Sequence, residues 1–236
     1  GTSLLLAVAW QLSRYGYSPG QYHTAIGEQR TVDLDDHSRI VLDAATHLRV
    51  RFTPDARIVE LQDGQAQFSV AKDPTRPFKV EVGGRTIVAI GTVFTVEYVD
   101  SQVHVAMMEG RVAVVPTTSP ATDRDAGEGI SLIAGEELHV SRDGHSTVTP
   151  KADLEAATAW REGRVVLRDE SLSEAVARMN RYSRLQIKIS DATLAEKHMS
   201  GVFEAGDTPG FLSAIQRYLP VAADYEDSHT VKLRLK

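Results

Sequence analysis

The chain has 236 residues, enough for one large all-β domain or two smaller domains, and its 42% hydrophobic and 25% charged content is typical of a soluble globular protein. Its formal net charge of -6, with no run of Lys and Arg, argues against nucleic acid as a partner. The absence of cysteine excludes thiol nucleophiles, Cys-ligated metal centres and disulfides.

The N-terminal segment is apolar over residues 4–10 (LLLAVAW), far short of the ~20 residues that cross a bilayer. Two interpretations stay open at this point. The segment is the outer end of a truncated membrane anchor, with Trp10, Tyr15 and Tyr17 in the interfacial zone, or it is a buried helix of the domain.

Residues 22–115 consist of short runs in which apolar and polar side chains alternate, as in Leu48, Val50 and Phe52. Turn signals separate the runs, among them Asp63-Gly64 and Gly83-Gly84. Gly83-Gly84 lies between two alternating runs and predicts a β-hairpin. This half of the chain is therefore predicted to be all-β, with many short antiparallel strands.

A polar segment over residues 116–129 predicts a loop, and two more strands are predicted at 130–133 and 136–140. Residues 152–160 carry apolar side chains at helical spacing, and Gly163 is placed to end that helix.

After Gly163 the pattern changes to alternating strands and helices. Ser171 and Glu174 form a capping box that opens one helix, and Thr208 is predicted to cap a second. The predicted order, β-α-β followed by β-α-β-β, indicates a small α+β domain.

No catalytic, cofactor-binding or metal-binding residue is predicted. The eight histidines form no His-x-His or His-x-x-x-His pair, and the acidic cluster at Asp33, Asp35 and Asp36 lacks a full calcium-ligand series. The sequence contains no Gly-x-Ser-x-Gly motif for a hydrolase. The chain is expected not to be an enzyme.

An ordered series of motifs runs through the β half: GEQR (27–30), DHSRIVLD (36–43), RIVEL (57–61), GQAQFSVA (64–71), RPFKV (76–80), IGTVFTV (90–96) and EGRV (109–112). This series resembles the FecR domain across most of residues 22–115. One departure is His37, because the family usually has Gly at this position, where positive φ is easier to adopt. Residues 163–236 are similar to the short N-terminal (STN) domain of secretins and TonB-dependent transducers, through DESLSEA (169–175), Tyr182, Ile187 and MSGVF (199–203).

The resemblance implies a regulator that crosses the inner membrane of a Gram-negative bacterium once. Its periplasmic part would receive the N-terminal signalling domain of a TonB-dependent outer-membrane siderophore transporter, and periplasmic and intramembrane proteases would act on the full-length protein. It would reach an extracytoplasmic-function (ECF) sigma factor only through a cytoplasmic segment that this chain lacks.

With this resemblance, residues 1–21 are interpreted as the remnant of the anchor and a tether, 22–150 as the FecR-type domain, 151–162 as a helical linker and 163–236 as the STN-like domain.

The last strand is predicted to bind the partner by strand addition at an exposed edge and by side-chain contact, through Thr230, Val231, Lys232, Leu233 and Arg234. The alternative, which stays open, is that its basic side chains only keep an exposed edge soluble. A second hypothesis makes residues 150–163 a hinge whose arrangement is fixed by the partner. The alternatives are a structural module of a secretin-like assembly, which would self-associate, and a glycan-binding domain, which the 6% aromatic content disfavours.

Overall fold

The computed structural model describes residues 20–117 and 129–236. The predicted anchor at residues 4–10 and most of the predicted loop at 116–129 lie outside this part of the chain. Thirteen strands lie within residues 20–117 and 129–149, which agrees with the predicted β-rich character; the last of them, Ser146–Thr149, is not among the predicted strands. They are β1 Gly20–His23, β2 Arg30–Asp33, β3 Arg39–Leu42, β4 His47–Phe52, β5 Arg57–Ser69, β6 Phe78–Val82, β7 Arg85–Ala89, β8 Val93–Val99, β9 Gln102–Glu109, β10 Arg111–Pro116, β11 Ile130–Ile133, β12 Glu137–Val140 and β13 Ser146–Thr149.

These strands form one sheet with the order β11-β10-β7-β6-β5-β8-β9-β12-β13, and β1 to β4 attach around β5. Apolar side chains from both halves of the sheet meet in a single core, which includes Phe68, Phe78 and Phe94. The rings of Phe68 and Phe94 stack with centroids 5.2 Å apart. Burial of this apolar surface is the main stabilising contribution in the β-rich part.

Strand β5 corrects one prediction, because Asp63-Gly64 is a bend within a continuous strand of 13 residues and not a turn. The first half of β5 pairs with β4 and β6, and the second half pairs with β3 and β8. Gly64 has φ of 97°, and the register against β4 shifts beside it. A glycine at positive φ therefore redirects the strand from one half of the sheet to the other.

Gly64→Ala is expected to lower the free energy of unfolding by at least about 2 kcal/mol, since the position combines positive φ with tight packing. A Cβ added there would lie 2.6 Å from Thr46 Cα. Gly135→Ala is the matched control, because Gly135 has φ of 87° and no atom within 4 Å of an added Cβ. Urea unfolding followed by circular dichroism compares the two, and equal losses would contradict the packing argument.

Two tight turns meet expectations in different ways. Gly83 and Gly84 join β6 to β7, which confirms the predicted hairpin, and their φ values of 51° and 76° are those of a type I′ turn. His37 adopts φ of 67°, so histidine keeps the left-handed conformation at the position where the family usually has glycine. Asp36 stabilises this turn by accepting hydrogen bonds from the Ser38 N–H at 3.1 Å and the Ser38 hydroxyl at 2.6 Å.

The connector consists of helix α1, Leu154–Thr158, and a 3-10 helix, Ala159–Glu162. It ends at Gly163, whose φ of 72° confirms the predicted stop. Beyond it lie strands β14 to β18 and helices α2 to α4. They are β14 Arg164–Ser171, α2 Leu172–Asn180, β15 Gln186–Ile189, α3 Ala192–Ala195, β16 His198–Glu204, α4 Thr208–Tyr218, β17 Val221–Tyr225 and β18 Thr230–Leu235.

The helix starts follow local side-chain chemistry. The capping box of α2 is confirmed, with Ser171 and Glu174 bonded to each other's backbone N–H groups. The predicted cap of α4 is wrong by one residue, because Asp207 accepts the hydrogen bond from Gly210 N–H at 2.9 Å and Thr208 is already helical. A carboxylate also suits the positive end of the helix dipole better than a hydroxyl does.

The C-terminal part contains two small sheets with helices packed against them around a second core. One sheet pairs β14 with β16, and the other has the order β15-β18-β17, with β15 parallel to β18. Phe203 of β16 contacts Phe211 of α4 edge to face at a centroid distance of 5.0 Å. Strand β18 is thus the middle strand of its sheet, which corrects the prediction that it offers a free edge.

Within residues 20–117 and 129–236, no helix has both the length and the apolar character required to span a membrane.

Candidate functional site

A cleft with a volume of about 520 Å³ lies between the β-rich part and the C-terminal part. Strands β8, β9 and β12 line one side, and the connector, β14 and α2 line the other. The connector is fixed to the β-rich part by polar contacts. Gln29 Nε2 donates to the Trp160 carbonyl oxygen at 2.7 Å, and an Arg161 guanidinium nitrogen donates to Gln67 Oε1 at 2.9 Å.

The first ion pair across this junction joins Arg181, directly after α2, to Asp43, directly after β3. The guanidinium donates to Asp43 Oδ2 and to the Ala44 carbonyl oxygen, both at 2.9 Å. The Tyr182 hydroxyl donates to the same carboxylate. Asp43 is 0% exposed, and this burial raises its pKa although Arg181 opposes the shift. Burial likewise raises the pKa of Tyr182, and the Asp43 charge adds to the effect.

The second ion pair is made by Arg178 in the last turn of α2. Its guanidinium donates to Glu97 Oε2 of β8 at 2.6 Å and to Glu170 Oε1 of β14 at 2.8 Å. A single side chain therefore connects the two parts of the molecule. We call Arg178 and Arg181, together with Asp43, Glu97 and Glu170, the arginine clamp.

The clamp has more carboxylates than guanidinium groups. Burial raises the pKa of Glu170 to about 7, although Arg178 opposes the shift. Glu170 Oε2 is buried and has no hydrogen-bond partner among the residues that the structure describes. Burial of this unpaired oxygen penalises the carboxylate form, which favours protonated Glu170 in the folded chain.

A histidine pair lies beside the clamp on adjacent strands β9 and β12. The ring centroids of His104 and His139 are 4.6 Å apart, and His139 Nε2 lies 2.7 Å from Gln102 Oε1. Burial lowers the pKa of His104 to about 4, and the positive charge of Arg178 contributes. In the described ranges, no group of three or more His, Asp or Glu side chains has the arrangement needed to hold a metal ion.

The residues predicted to bind the partner lie away from the clamp, on the three-stranded sheet. Val231 and Leu233 are buried in the C-terminal core, so a partner could reach only the other three side chains. Lys232 pairs with Glu226 at 3.7 Å, and Arg234 pairs with Asp224 at 2.5 Å.

Comparisons with known proteins agree with the sequence pattern and with the fold. Residues 20–113, less than half of the chain, match the family model described as FecR protein. No curated protein matches the chain significantly.

Two crystal structures of a "putative anti-sigma factor" from Parabacteroides distasonis ATCC 8503, at 1.65 and 2.50 Å resolution, are similar to the chain with TM-scores of 0.79 and 23% identity. The first match covers 92% of this chain and 99% of that chain, and the second covers 93% and 100%. At this identity the likeness concerns the fold, which both parts of the molecule share with those structures. Residues 20–113 thus carry the sequence pattern of FecR proteins within a fold similar to that of the Parabacteroides protein.

Proposed function

We propose that this chain is the signal-receiving part of a FecR-type sigma regulator, located in the periplasm as a portion of a single-pass inner-membrane protein. The match of residues 20–113 to the FecR family model carries this proposal. The similarity of the fold to a protein named as an anti-sigma factor supports it. Its role is to bind and to transmit, without catalysis.

The proposed input is the N-terminal signalling domain of a TonB-dependent siderophore transporter, and the proposed output is an ECF sigma factor reached through a cytoplasmic segment. In this proposal residues 1–21 tether the chain, 22–150 form the FecR-type domain, 151–162 link it, and 163–236 form an STN-like receiving domain. The order of strands and helices in the C-terminal part is consistent with such a domain. The arginine clamp and the connector join both domains into one receiving unit.

The docking surface is proposed on the exposed face of β18, where the side chains of Thr230, Lys232 and Arg234 point away from the core. Lys232 and Arg234 are basic, and the side chains in their ion pairs with Glu226 and Asp224 are about half exposed to solvent. Exposed ion pairs of this kind contribute little to stability, so their charges are available to a partner at low cost. Strand addition would use β15 or β17, the outer strands of this sheet.

Calorimetric titration with the signalling domains of transporters from the source organism tests the proposed input. Saturable binding to one domain and not to the others is expected. A folded chain that binds none of them would contradict the proposed input and favour the structural module of a secretin-like assembly.

Charge reversal at Lys232→Glu and Arg234→Glu is expected to weaken that binding at least tenfold and to reduce its dependence on salt concentration. The matched control reverses two exposed arginines of the β-rich part, Arg51→Glu and Arg111→Glu. Unchanged affinity in the β18 variant, measured by the same titration, would remove β18 from the docking surface.

A further inference from the structure

Strand β16 presents an open edge. It is seven residues long, and within the described residues it pairs with β14 and with no other strand. A two-stranded ribbon is only marginally stable alone, and its unpaired N–H and C=O groups can accept another strand. Val202 on the outer face is 55% exposed, more than any other large aliphatic residue that the structure describes.

The edge of β16 lacks the features that usually block pairing between chains. Its sequence, HMSGVFE, contains no Lys, Arg or Pro and no bulge of its own. The outer strand β15, by contrast, carries the exposed Lys188. The outermost strands of the large sheet, β11 and β13, have four residues each, which gives an added strand fewer hydrogen bonds than β16 would.

The sequence of β16 is complementary to itself about its centre. In an antiparallel pair centred on Gly201, His198 lies opposite Glu204, Met199 opposite Phe203, and Ser200 opposite Val202. The ends thus place an imidazole against a carboxylate, and the inner face places a thioether against an aromatic ring, which is a favourable contact.

The end groups of β16, His198 and Glu204, are exposed and accessible to a second strand. His198 Nδ1 lies 2.6 Å from the Asp169 carbonyl oxygen and 3.5 Å from Asp169 Oδ1, and among the described residues Nε2 has no partner. Glu204 makes no ion pair within residues 20–117 and 129–236. Glycine at the centre lets the two backbones approach without a side chain between them.

We propose that the edge of β16 binds the same edge of a second copy of this chain, in antiparallel register about a twofold axis at Gly201. The two ribbons then form one four-stranded sheet with the order β14-β16-β16-β14. The proposed receptor function does not require this association, which rests on the β16 edge alone.

Single cysteines test the register directly, because the natural chain contains none. Ser200→Cys and Val202→Cys variants are mixed and oxidised at a series of concentrations. Opposite positions lie about 5 Å apart between Cα atoms, within disulfide reach, whereas like positions lie about 7–8 Å apart. The mixture is therefore expected to give a disulfide-linked dimer at least tenfold in excess of either variant alone.

Thr230→Cys mixed with Lys232→Cys is the control, because these positions have the same spacing on a strand that is paired on both sides. In addition, Val202→Lys places a charge on the open edge at an exposed position, and sedimentation equilibrium should show at least tenfold weaker dimerisation. No crosslink above the control level, or equal crosslinking in the single variants, would overturn the proposal. If the natural chain is monomeric and Val202→Lys weakens binding of a signalling domain, the edge of β16 binds that domain and the proposed self-pairing is wrong.

Discussion

Arg181→Met is expected to lower the free energy of unfolding by about 3–5 kcal/mol, the usual effect of removing one partner from a buried ion pair. Methionine retains most of the apolar stem, so the loss reports mainly on the guanidinium. The substitution leaves Asp43 buried without its cation and removes three hydrogen bonds to Asp43 and Ala44. Urea unfolding followed by tryptophan fluorescence measures the change, since Trp160 is buried at this junction.

The control for this prediction is Arg184→Met, three residues further along the chain at an exposed position, where a change below about 0.5 kcal/mol is expected. Combining Arg181→Met with Asp43→Asn should recover part of the loss, because the buried charge is removed together with its partner. Similar small effects of Arg181→Met and Arg184→Met would show that the clamp contributes little to the junction.

Glu170 and His104 are expected to give opposite pH dependences that largely cancel in the natural protein. The pKa of Glu170 rises to about 7 on folding, so its contribution to stability decreases as pH increases from about 4.5 to 7. The pKa of His104 falls to about 4, so its contribution decreases as pH falls from about 6.5 to 4. Each shift is about 2.5 pKa units and corresponds to about 3 kcal/mol at its limit.

Single substitutions should reveal each slope separately. Glu170→Gln leaves the contribution of His104, so this variant should lose stability as pH falls. At pH 8 it should be more stable than the natural protein, because the buried carboxylate is absent. His104→Gln leaves the contribution of the Glu170 carboxylate, so this variant should lose stability as pH rises from about 4.5 to 7. Charged neighbours of these two groups are the same in all three proteins, namely Arg178, Glu97, Glu174 and His139. Urea unfolding at constant ionic strength from pH 4.5 to 8 measures the slopes, and three parallel profiles would contradict this linkage.

Local signals in the sequence predicted the elements whose cause is local. The Gly83-Gly84 hairpin and the capping box at Ser171 depend on neighbouring residues, and both are present. The prediction of a turn at Asp63-Gly64 is wrong, because a glycine at positive φ occurs in a bend within a strand as well as in a turn between strands. Which of the two forms is decided by the partners of β5, which come from distant parts of the chain.

Strand order and the arginine clamp depend on long-range packing, which the spacing of apolar residues along the sequence does not predict. The parallel pairing of β15 with β18 places β18 in the middle of its sheet, and the alternation of Thr230 to Leu235 fits an edge or a central strand equally well. Arg178 in the last turn of α2 and Arg181 directly after it lie three residues apart on the polar side of this amphipathic segment, which is typical of a solvated face. Tyr182 next to them is part of the motif similar to STN domains, and its hydrogen bond to Asp43 gives the physical reason for an aromatic hydroxyl there.

Small-angle scattering of the isolated chain tests most directly whether the clamp and the connector hold both parts as one receiving unit. For the natural chain, the predicted curve is that of the closed arrangement, with the cleft between β8, β9 and α2 intact. A variant with Arg178→Met and Arg181→Met should give a larger radius of gyration at the same mass. A curve for the natural chain that requires two independently moving bodies, unchanged by the double substitution, would contradict the role of the clamp and favour residues 150–163 as a free hinge.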